Sequence, residues 1–286
     1  MKLVLDVAVP VVTFLVMTIV GLDLTQADFE RVRSRPGVLV AGLLGPLLLL
    51  PPIALVVLAL VPMPEEIRAG LLLLAVCPVG GISNTYNYLA RAATALSVTL
   101  TAVSCLLAVG TMPLLTRVFE AIFQRPFGFR APVGLLAAQV LGMLVLPVLA
   151  GMTLRSRAPA FVARHEKASR SIAFGGLALL LGFILVNEWD RFVTNLGVTA
   201  AACALFVILA MAAGALTARA AGADRRERFT IPVEFATRNC AIAAAVAITL
   251  LGDTRFAVFA TTYFFTEAAL ILAAVAVRRA EAPAAT

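Results

Sequence analysis

The sequence predicts an all-α polytopic membrane protein with about nine transmembrane helices, each near the length that a bilayer requires. The chain has 286 residues, of which 62% are hydrophobic and 14% are charged, and its mean hydropathy is +1.01. Soluble domains are about half apolar and about a quarter charged. Because the basic residues fall in short gaps between apolar runs, the net charge of +7 indicates membrane lipid rather than nucleic acid as the surrounding partner.

Nine apolar segments have the length and composition of membrane spans. The sixth is rather short, and the second carries Pro46, Pro51 and Pro52 and is expected to be kinked. The spans are predicted at residues 3–22, 38–61, 69–88, 94–118, 132–154, 171–186, 196–217, 229–251 and 256–277.

Basic residues in the connecting segments predict the orientation of the chain. About two thirds of the 23 Lys and Arg residues fall on one side of the nine-span arrangement, and that side is expected to be cytoplasmic. The N-terminus is then outside and the C-terminus inside, in the cell (inner) membrane. Three arginines in the gap 117–130 are discordant with this assignment.

Two spans are predicted to break in mid-membrane. In the third, Pro78 is followed by Gly80 and Gly81, and in the eighth, Pro232 precedes Glu234. Proline cannot donate a helix hydrogen bond. Irregular backbone at membrane depth is tolerated only where it is buried in protein or lines a cavity, so both breaks are candidate functional sites.

The eighth span contains a carboxylate, a guanidinium and an amide, from Glu234, Arg238 and Asn239. An ionised side chain at bilayer depth costs about 2.5–3.5 kcal/mol on insertion scales, so it needs a partner or a function. One interpretation is a continuous helix in which Glu234 and Arg238, four residues apart, form a pair. The other is a broken helix whose backbone and polar side chains line an ion and substrate site.

A weak internal repeat favours the second interpretation. The motif 77–79 (Cys-Pro-Val) precedes Asn84, and the motif 231–233 (Ile-Pro-Val) precedes Asn239. Interrupted helices at corresponding positions of two inverted halves indicate a transporter site near the bilayer midplane. The predicted organisation is a first inverted repeat, a linking span with its loop, and a second inverted repeat, at residues 1–120, 121–168 and 169–286.

Polar side chains surround the first break. Ser83 and Asn84 follow the paired glycines, and Ser97 and Thr101 lie four residues apart on the next span, so their hydroxyls share one helix face. A single Ser or Thr in a membrane helix commonly bonds its own i−4 carbonyl. Four polar residues around one break, with Glu234 available from the other, favour a cation site instead.

These residues carry a family resemblance that extends over nearly the whole chain. The stretches 77–84, 88–91 and 95–101, with 21–24, 28–29 and 234–239, resemble the bile acid:sodium symporter family, as a bacterial-type member with nine spans. The resemblance implies a core domain of spans 3, 4, 8 and 9, in which the broken spans 3 and 8 cross. The remaining spans would form a panel domain, with elevator-like movement between the two.

The resemblance also implies the ion sites. One sodium ion would be held by Ser83, Asn84, Ser97, Thr101 and Glu234, all of which are present. Members of the family hold a second sodium ion with the same glutamate, nearby backbone carbonyls and two glutamines.

This sequence departs from the family at the second ion. Arg238 and Pro46 stand where the two glutamines are expected, beside the backbone of Phe235 and Thr237. A guanidinium there would repel a sodium ion at low dielectric, so the expectation is one sodium ion with Arg238 in place of the second. The alternative is that Arg238 pairs with Glu267 on the last span.

The expected function is secondary active transport of an organic anion of the carboxylate type, coupled to sodium. The anion is expected near Gly80, Gly81 and Asn239, because helix N-termini attract negative charge. A sodium-independent or proton-coupled carrier, in which Glu234 carries the proton, is the alternative. A metalloid efflux carrier using Cys77 is a weaker one.

Catalysis and disulfide formation are not expected. The one histidine, His165, lies in a charged segment, so no histidine within the membrane could activate a nucleophile. The four cysteines lie in apolar runs and are expected to be small buried side chains.

Overall fold

The computed structural model describes residues 2–23, 35–123, 133–250, 252 and 254–280. Within these ranges the regular structure is helical, apart from one isolated antiparallel bridge between Val79 and Arg238. The predicted all-α class is therefore confirmed. Most of the predicted charged loop 26–35 and part of the gap 117–130 lie outside the described residues.

The first four spans form five helices, because the third span is split. Helix α3 ends at Val76 and α4 begins at Ile82, so the predicted break in this span is confirmed. The helices are α1 (Lys2–Asp23), α2 (Pro36–Leu60), α3 (Glu65–Val76), α4 (Ile82–Leu89) and α5 (Thr94–Phe123).

The remaining spans form seven helices. The fifth and eighth spans each contain a five-residue π-helical stretch, Leu141–Val145 and Val246–Leu250. The helices are α6 (Val133–Val140), α7 (Leu146–Arg157), α8 (Pro159–Asn187), α9 (Trp189–Ala220), α10 (Glu227–Ala236), α11 (Cys240–Ala245) and α12 (Arg255–Ala280).

The sixth span is longer than the sequence predicted. Its helix, α8, begins at Pro159 rather than at residue 171 and has 29 residues. Proline is favoured in the first helical turn, where no intrahelical donor is needed, so Pro159 can open the helix. The charged residues that indicated a loop instead occupy the first turns of α8, where many of the side chains are exposed.

Apolar side chains cover the outside of the helices. Six helices in the described part are long and apolar enough to cross a membrane, and Val7–Asp23 and Cys240–Leu250 are shorter apolar helices. Leu48, Leu179 and Leu216 are 67%, 77% and 66% exposed on three different spans. Such surfaces match lipid rather than water. The chain is a multi-pass membrane protein.

The eighth span breaks at a different place from the one that the proline indicated. Pro232 lies inside α10, which continues to Ala236, and the break is formed by residues 237–239. Pro78 lies between α3 and α4, whereas Pro232 lies inside α10, so the two Pro-Val motifs do not occupy equivalent places in the two broken spans. Val79 of the first break pairs with Arg238 of the second. The helix ends where the backbone turns to pair with the other broken span.

Candidate functional site

The two broken spans cross, and their backbones bond to each other at the crossing. The N–H of Gly80 donates to the carbonyl of Thr237 at 3.3 Å, and the N–H of Asn239 donates to the carbonyl of Pro78 at 2.9 Å. These bonds satisfy backbone groups that the breaks would otherwise leave unpaired inside the membrane. The crossing that the family resemblance implied is therefore present.

Glycine is required where the backbones meet. A Cβ atom on Gly80 would lie 2.7 Å from the carbonyl oxygen of Arg238, and one on Gly81 would lie 2.4 Å from Val20 Cγ2 of α1. Both contacts are shorter than van der Waals distance, so any side chain at residue 80 would push the two breaks apart.

The three residues predicted to bind the substrate come together beneath α1. Asn239 caps α11 by accepting a hydrogen bond from the N–H of Ile242 at 3.1 Å, and its Nδ2 lies 3.3 Å from Met17 Sδ. It is 2% exposed, and Gly80 and Gly81 are buried with it. In this conformation α1 covers the place where the anion was predicted.

A buried carboxylate, Glu234, is surrounded by hydrogen-bond donors. Its Oε1 accepts from Ser97 Oγ at 2.6 Å and from Asn87 Nδ2 at 3.1 Å, and its Oε2 accepts from Thr101 Oγ1 at 3.3 Å. The carboxylate is therefore held by α4 and α5 together, although it belongs to α10.

Ser83 and Asn84 complete this group. Ser83 Oγ lies 3.2 Å from Thr101 Oγ1 and 3.5 Å from Ser97 Oγ, and Asn84 Oδ1 lies 2.8 Å from Ser97 Oγ. The structure thus brings together all five residues that were predicted as one group. We call Ser83, Asn84, Asn87, Ser97, Thr101 and Glu234 the Glu234 cluster; every member is buried.

Asn87 is the member that sequence reasoning missed. Its Nδ2 lies 3.0 Å from Ser97 Oγ and from the carbonyl of Ser83. Asn87 follows Ser83 by four residues, so the two side chains share one face of α4. That spacing could have identified it.

Arg238 lies at the crossing but forms no ion pair with either predicted partner. Its Nε donates to the carbonyl of Thr237 at 3.2 Å. Within the described residues, neither Glu234 nor Glu267 has a carboxylate oxygen within 4 Å of its guanidinium nitrogens. The continuous-helix pairing fails because α10 ends at Ala236. The pairing with Glu267 is not formed either.

The other residues of the predicted second-cation position gather near the end of α10. Pro46 is buried in α2, and a Cβ on the preceding Gly45 would lie 2.4 Å from the ring of Phe235. The side-chain hydroxyl of Thr237 lies beside the carboxyl group of Glu267. This part of the site therefore contains one guanidinium and no side-chain amide from α2.

A cavity of about 500 Å³ reaches the Glu234 cluster through Asn84. Asn84 Nδ2 donates to Asp23 Oδ2 at 3.5 Å, and Asp23 forms an ion pair with Arg170. Arg155, also in the wall, donates from Nη1 to the carbonyl of Leu22 at 3.1 Å. The cavity thus connects two arginines with one member of the cluster.

The four cysteines are free and buried, as predicted. Cys77 lies at the first break, where its Sγ lies 3.2 Å from the carbonyl of Leu73 in the preceding turn. Within the described residues there is no group of three or more His, Cys, Asp or Glu that could hold a metal ion. The geometry gives no support to a metalloid site at Cys77.

Comparison with known proteins identifies the family. The model of the sodium bile acid symporter family matches residues 10–219. The chain belongs to the sodium bile acid symporter family. The match includes the five members of the Glu234 cluster that lie on α4 and α5. It ends before α10, so Glu234 and Arg238 lie outside it.

Curated relatives of the chain support the same family assignment. A probable sodium/metabolite cotransporter, BASS1 of Arabidopsis thaliana chloroplasts, is 32% identical over 83% of this chain and 58% of its own length. The uncharacterized sodium-dependent transporter YocS of Bacillus subtilis is 25% identical over 82% of this chain and 71% of its own length. These relatives are transporters, as the sequence predicted, and not enzymes. The chain spans little more than half the length of the plant relative.

Proposed function

We propose that this protein is a secondary active transporter that moves an organic anion, of the carboxylate type, by coupling to sodium at the Glu234 cluster. The observation that carries the proposal is the convergence of the five predicted ligands from α4, α5 and α10, one of which is the buried carboxylate of Glu234. Membership of the family supports sodium dependence. The Glu234 cluster supplies the oxygen ligands and the negative charge that a sodium ion needs.

The cluster has more oxygen acceptors than its protons can serve. Ser97 Oγ lies within 2.8 Å of both Glu234 Oε1 and Asn84 Oδ1, but one hydroxyl proton can be donated to only one of them. A hard cation binds oxygen lone pairs and carries the charge that a buried carboxylate needs. The hydroxyls, the Asn84 oxygen and the carboxylate therefore fit a sodium ion.

The proposed stoichiometry is one coupling sodium ion. Arg238 stands at the family's second sodium position and stays protonated at any working pH. Its charge is permanent and cannot leave with the substrate, unlike a sodium ion.

The proposed route of the anion runs through the cavity beside Asn84 to Gly80, Gly81 and Asn239. The cavity wall contains Arg155 and Arg170 together with Asp23 and Glu166, so positive and negative charges balance there. Helix α1 lies against the first break, where Val20 packs on Gly81. Access therefore requires α1, a panel helix, to move relative to the crossing, which is the movement that the family resemblance implies.

The proposal is tested by uptake into proteoliposomes. A panel of radiolabelled carboxylates is offered with an inward sodium gradient, with choline in place of sodium, and with choline plus an inward proton gradient. We expect uptake of at least one carboxylate in the sodium arm alone. Uptake that needs only the proton gradient would establish the proton-coupled alternative, and equal uptake in all arms would exclude cation coupling.

The orientation is proposed from the charge distribution and is tested separately. A reporter fused after Thr286 is expected to report a cytoplasmic C-terminus, because most basic residues of the connecting segments lie on that side. A second fusion after Leu60, at the end of α2, is expected to lie outside, on the opposite side of the membrane from the C-terminus. A Leu60 fusion on the same side as the C-terminus would mean that the number of spans is miscounted by one. Periplasmic activity of the C-terminal fusion would contradict the proposed orientation.

A further inference from the structure

Three arginines outside the Glu234 cluster gather around one cavity. Arg225 and Arg228 lie in the connection from α9 to α10 and the first turn of α10, and Arg278 lies near the end of α12. The cavity has a volume of about 490 Å³, and we call it the Arg278 pocket. It is lined by Ala223, Asp224, Arg225, Arg228, Phe229 and Arg278. Because like charges repel, three guanidinium groups around one cavity call for a ligand of negative charge.

Backbone carbonyls hold two of the guanidinium groups in place. Arg228 Nε donates to the carbonyl of Ala223 at 2.8 Å, and Arg278 Nε donates to the carbonyl of Ala90 at 3.0 Å. The Arg278 guanidinium also lies 4.8 Å from the centre of the Phe229 ring. An arginine that is anchored through Nε keeps its two terminal nitrogens as donors for an anion. These contacts therefore fix the shape of the pocket before any ligand binds.

The terminal nitrogens of Arg278 make weak contacts within the protein. Both lie 3.4 Å from the carbonyl of Arg225, which is longer than the usual range for such hydrogen bonds. Charge-assisted bonds to an anion are shorter and about twice as strong as neutral ones. An anion in the pocket would therefore compete successfully with this carbonyl.

The acidic side chain in the wall, Asp224, is engaged by other groups. Its Oδ1 accepts from two backbone N–H groups at the start of α10, at 2.7 and 2.9 Å, and its Oδ2 lies 3.5 Å from Arg35 Nη1. Within the described residues, neither Arg225 nor Arg228 has a carboxylate oxygen within 4 Å of its guanidinium nitrogens. The described residues thus leave the charge of these two arginines uncompensated.

The pocket adjoins surface that faces lipid. Val277, the residue before Arg278, is 60% exposed on α12, and Leu216 is 66% exposed near the end of α9. The proposed orientation places both helix ends on the cytoplasmic side, where anionic lipids make the membrane surface negative and basic pockets between helices bind their headgroups. A phosphate group in the pocket would allow acyl chains to lie along α12.

We propose that the Arg278 pocket binds a phosphate-bearing anion, either the headgroup of an anionic phospholipid or free phosphate. The oxygens of a phosphate match the fork of donors on an arginine. Arg278 also bonds to Ala90 at the end of α4, so the ligand would join α4, α10 and α12. These helices belong to spans 3, 8 and 9, which the family resemblance assigns to the core domain. The ligand would therefore hold the ends of three core spans together.

The test follows the melting temperature of the purified full-length protein in detergent as phosphatidylglycerol is added. Phosphatidylcholine is the comparison without net charge, and inorganic phosphate is added in a separate series at constant ionic strength. A ligand that binds the folded state raises the melting temperature, and the titration gives its dissociation constant. We expect phosphatidylglycerol or inorganic phosphate to stabilise the wild type, and phosphatidylcholine to have no such effect.

Arg228→Gln and Arg278→Gln are each expected to weaken binding about fivefold, which is the attraction that one basic side chain contributes toward anionic lipid. The matched control is Arg226→Gln. Arg226 is exposed in the same segment and does not line the pocket, so this variant loses the same charge and should bind as the wild type does. Arg225→Gln keeps the test decisive if Arg278→Gln fails to fold, because Arg225 is exposed.

The outcomes separate the two sources of the anion and the failure of the proposal. Stabilisation by phosphatidylglycerol alone identifies a lipid headgroup, and equal dependence of inorganic phosphate on the pocket arginines identifies free phosphate. Weakening by Arg226→Gln as large as that by Arg228→Gln would show general attraction to a basic surface and would overturn the pocket. Absence of stabilisation by either anion would overturn it as well. None of these results depends on sodium or on uptake, so the proposed function is tested independently.

Discussion

Replacing Glu234 with glutamine is expected to abolish sodium-driven uptake while the protein still folds. Glutamine keeps the size of the side chain and one oxygen for the bonds from Ser97 and Asn87, but it removes the negative charge that attracts sodium. Opposite charges 4 Å apart attract by about 4 kcal/mol at an effective dielectric constant of 20. At about 1.4 kcal/mol per tenfold change, sodium affinity should fall roughly 1000-fold.

The measurement is the initial rate of uptake in proteoliposomes across a range of sodium concentrations. Glu65→Gln is the matched control, because Glu65 is exposed in the first turn of α3 and its loss affects only a helix dipole interaction of about 0.3–1 kcal/mol. This control should retain wild-type sodium dependence. Sodium dependence that is unchanged in Glu234→Gln would contradict the coupling site.

Replacing Arg238 with glutamine is expected to make the sodium dependence of uptake cooperative. In the wild type the guanidinium occupies the proposed second-sodium position, so uptake should follow a Hill coefficient of about one; with two coupling ions the coefficient can approach two. The variant restores one of the two amides. Because Pro46 still supplies none, the expected coefficient lies between these limits, with half-saturation at higher sodium.

Arg238→Lys is the control for charge, since it keeps the positive charge and should keep a Hill coefficient of about one. Breaking a buried ion pair costs about 3–5 kcal/mol. The loss of stability in Arg238→Gln is expected to be smaller, because Arg238 forms no ion pair with any residue that the structure describes. Cooperative uptake by the wild type would refute the proposal that the Arg238 guanidinium takes the place of a second sodium ion. Identical sodium-dependence curves for the wild type and both variants would refute it as well.

Several features of the fold were predictable because they are local properties of the sequence. The hydropathy of each segment determined the membrane class, and the run from Pro78 to Gly81 determined the first break. The hydroxyls of Ser97 and Thr101 share a face because they are one helical turn apart. Family resemblance joined these residues to Glu234, which spacing alone could not do, since more than 130 residues separate them.

Other features depend on contacts between distant segments. Pro232 indicated a break but was accommodated inside α10, because the chain leaves the helix only where residues 237–239 bond to the first break. Sequence spacing placed Arg238 near Glu234, and Glu267 on the last span was the alternative partner. In the structure the backbone of Arg238 pairs with Val79, and its guanidinium forms an ion pair with neither carboxylate. Sequence spacing specifies which residues share a helix face, but it contains no information about where two helices cross.

The sequence by itself thus determined the membrane-spanning helical class, the first interruption and the five residues of the predicted cation site. The tertiary structure decided where the second interruption falls, that Asn87 joins the Glu234 cluster, and that Glu267 meets Tyr86 and Thr237. The physical reason is range. Hydrophobic periodicity and proline geometry act over a few residues, whereas a buried carboxylate acquires its partners only when helices that are far apart in the chain pack together.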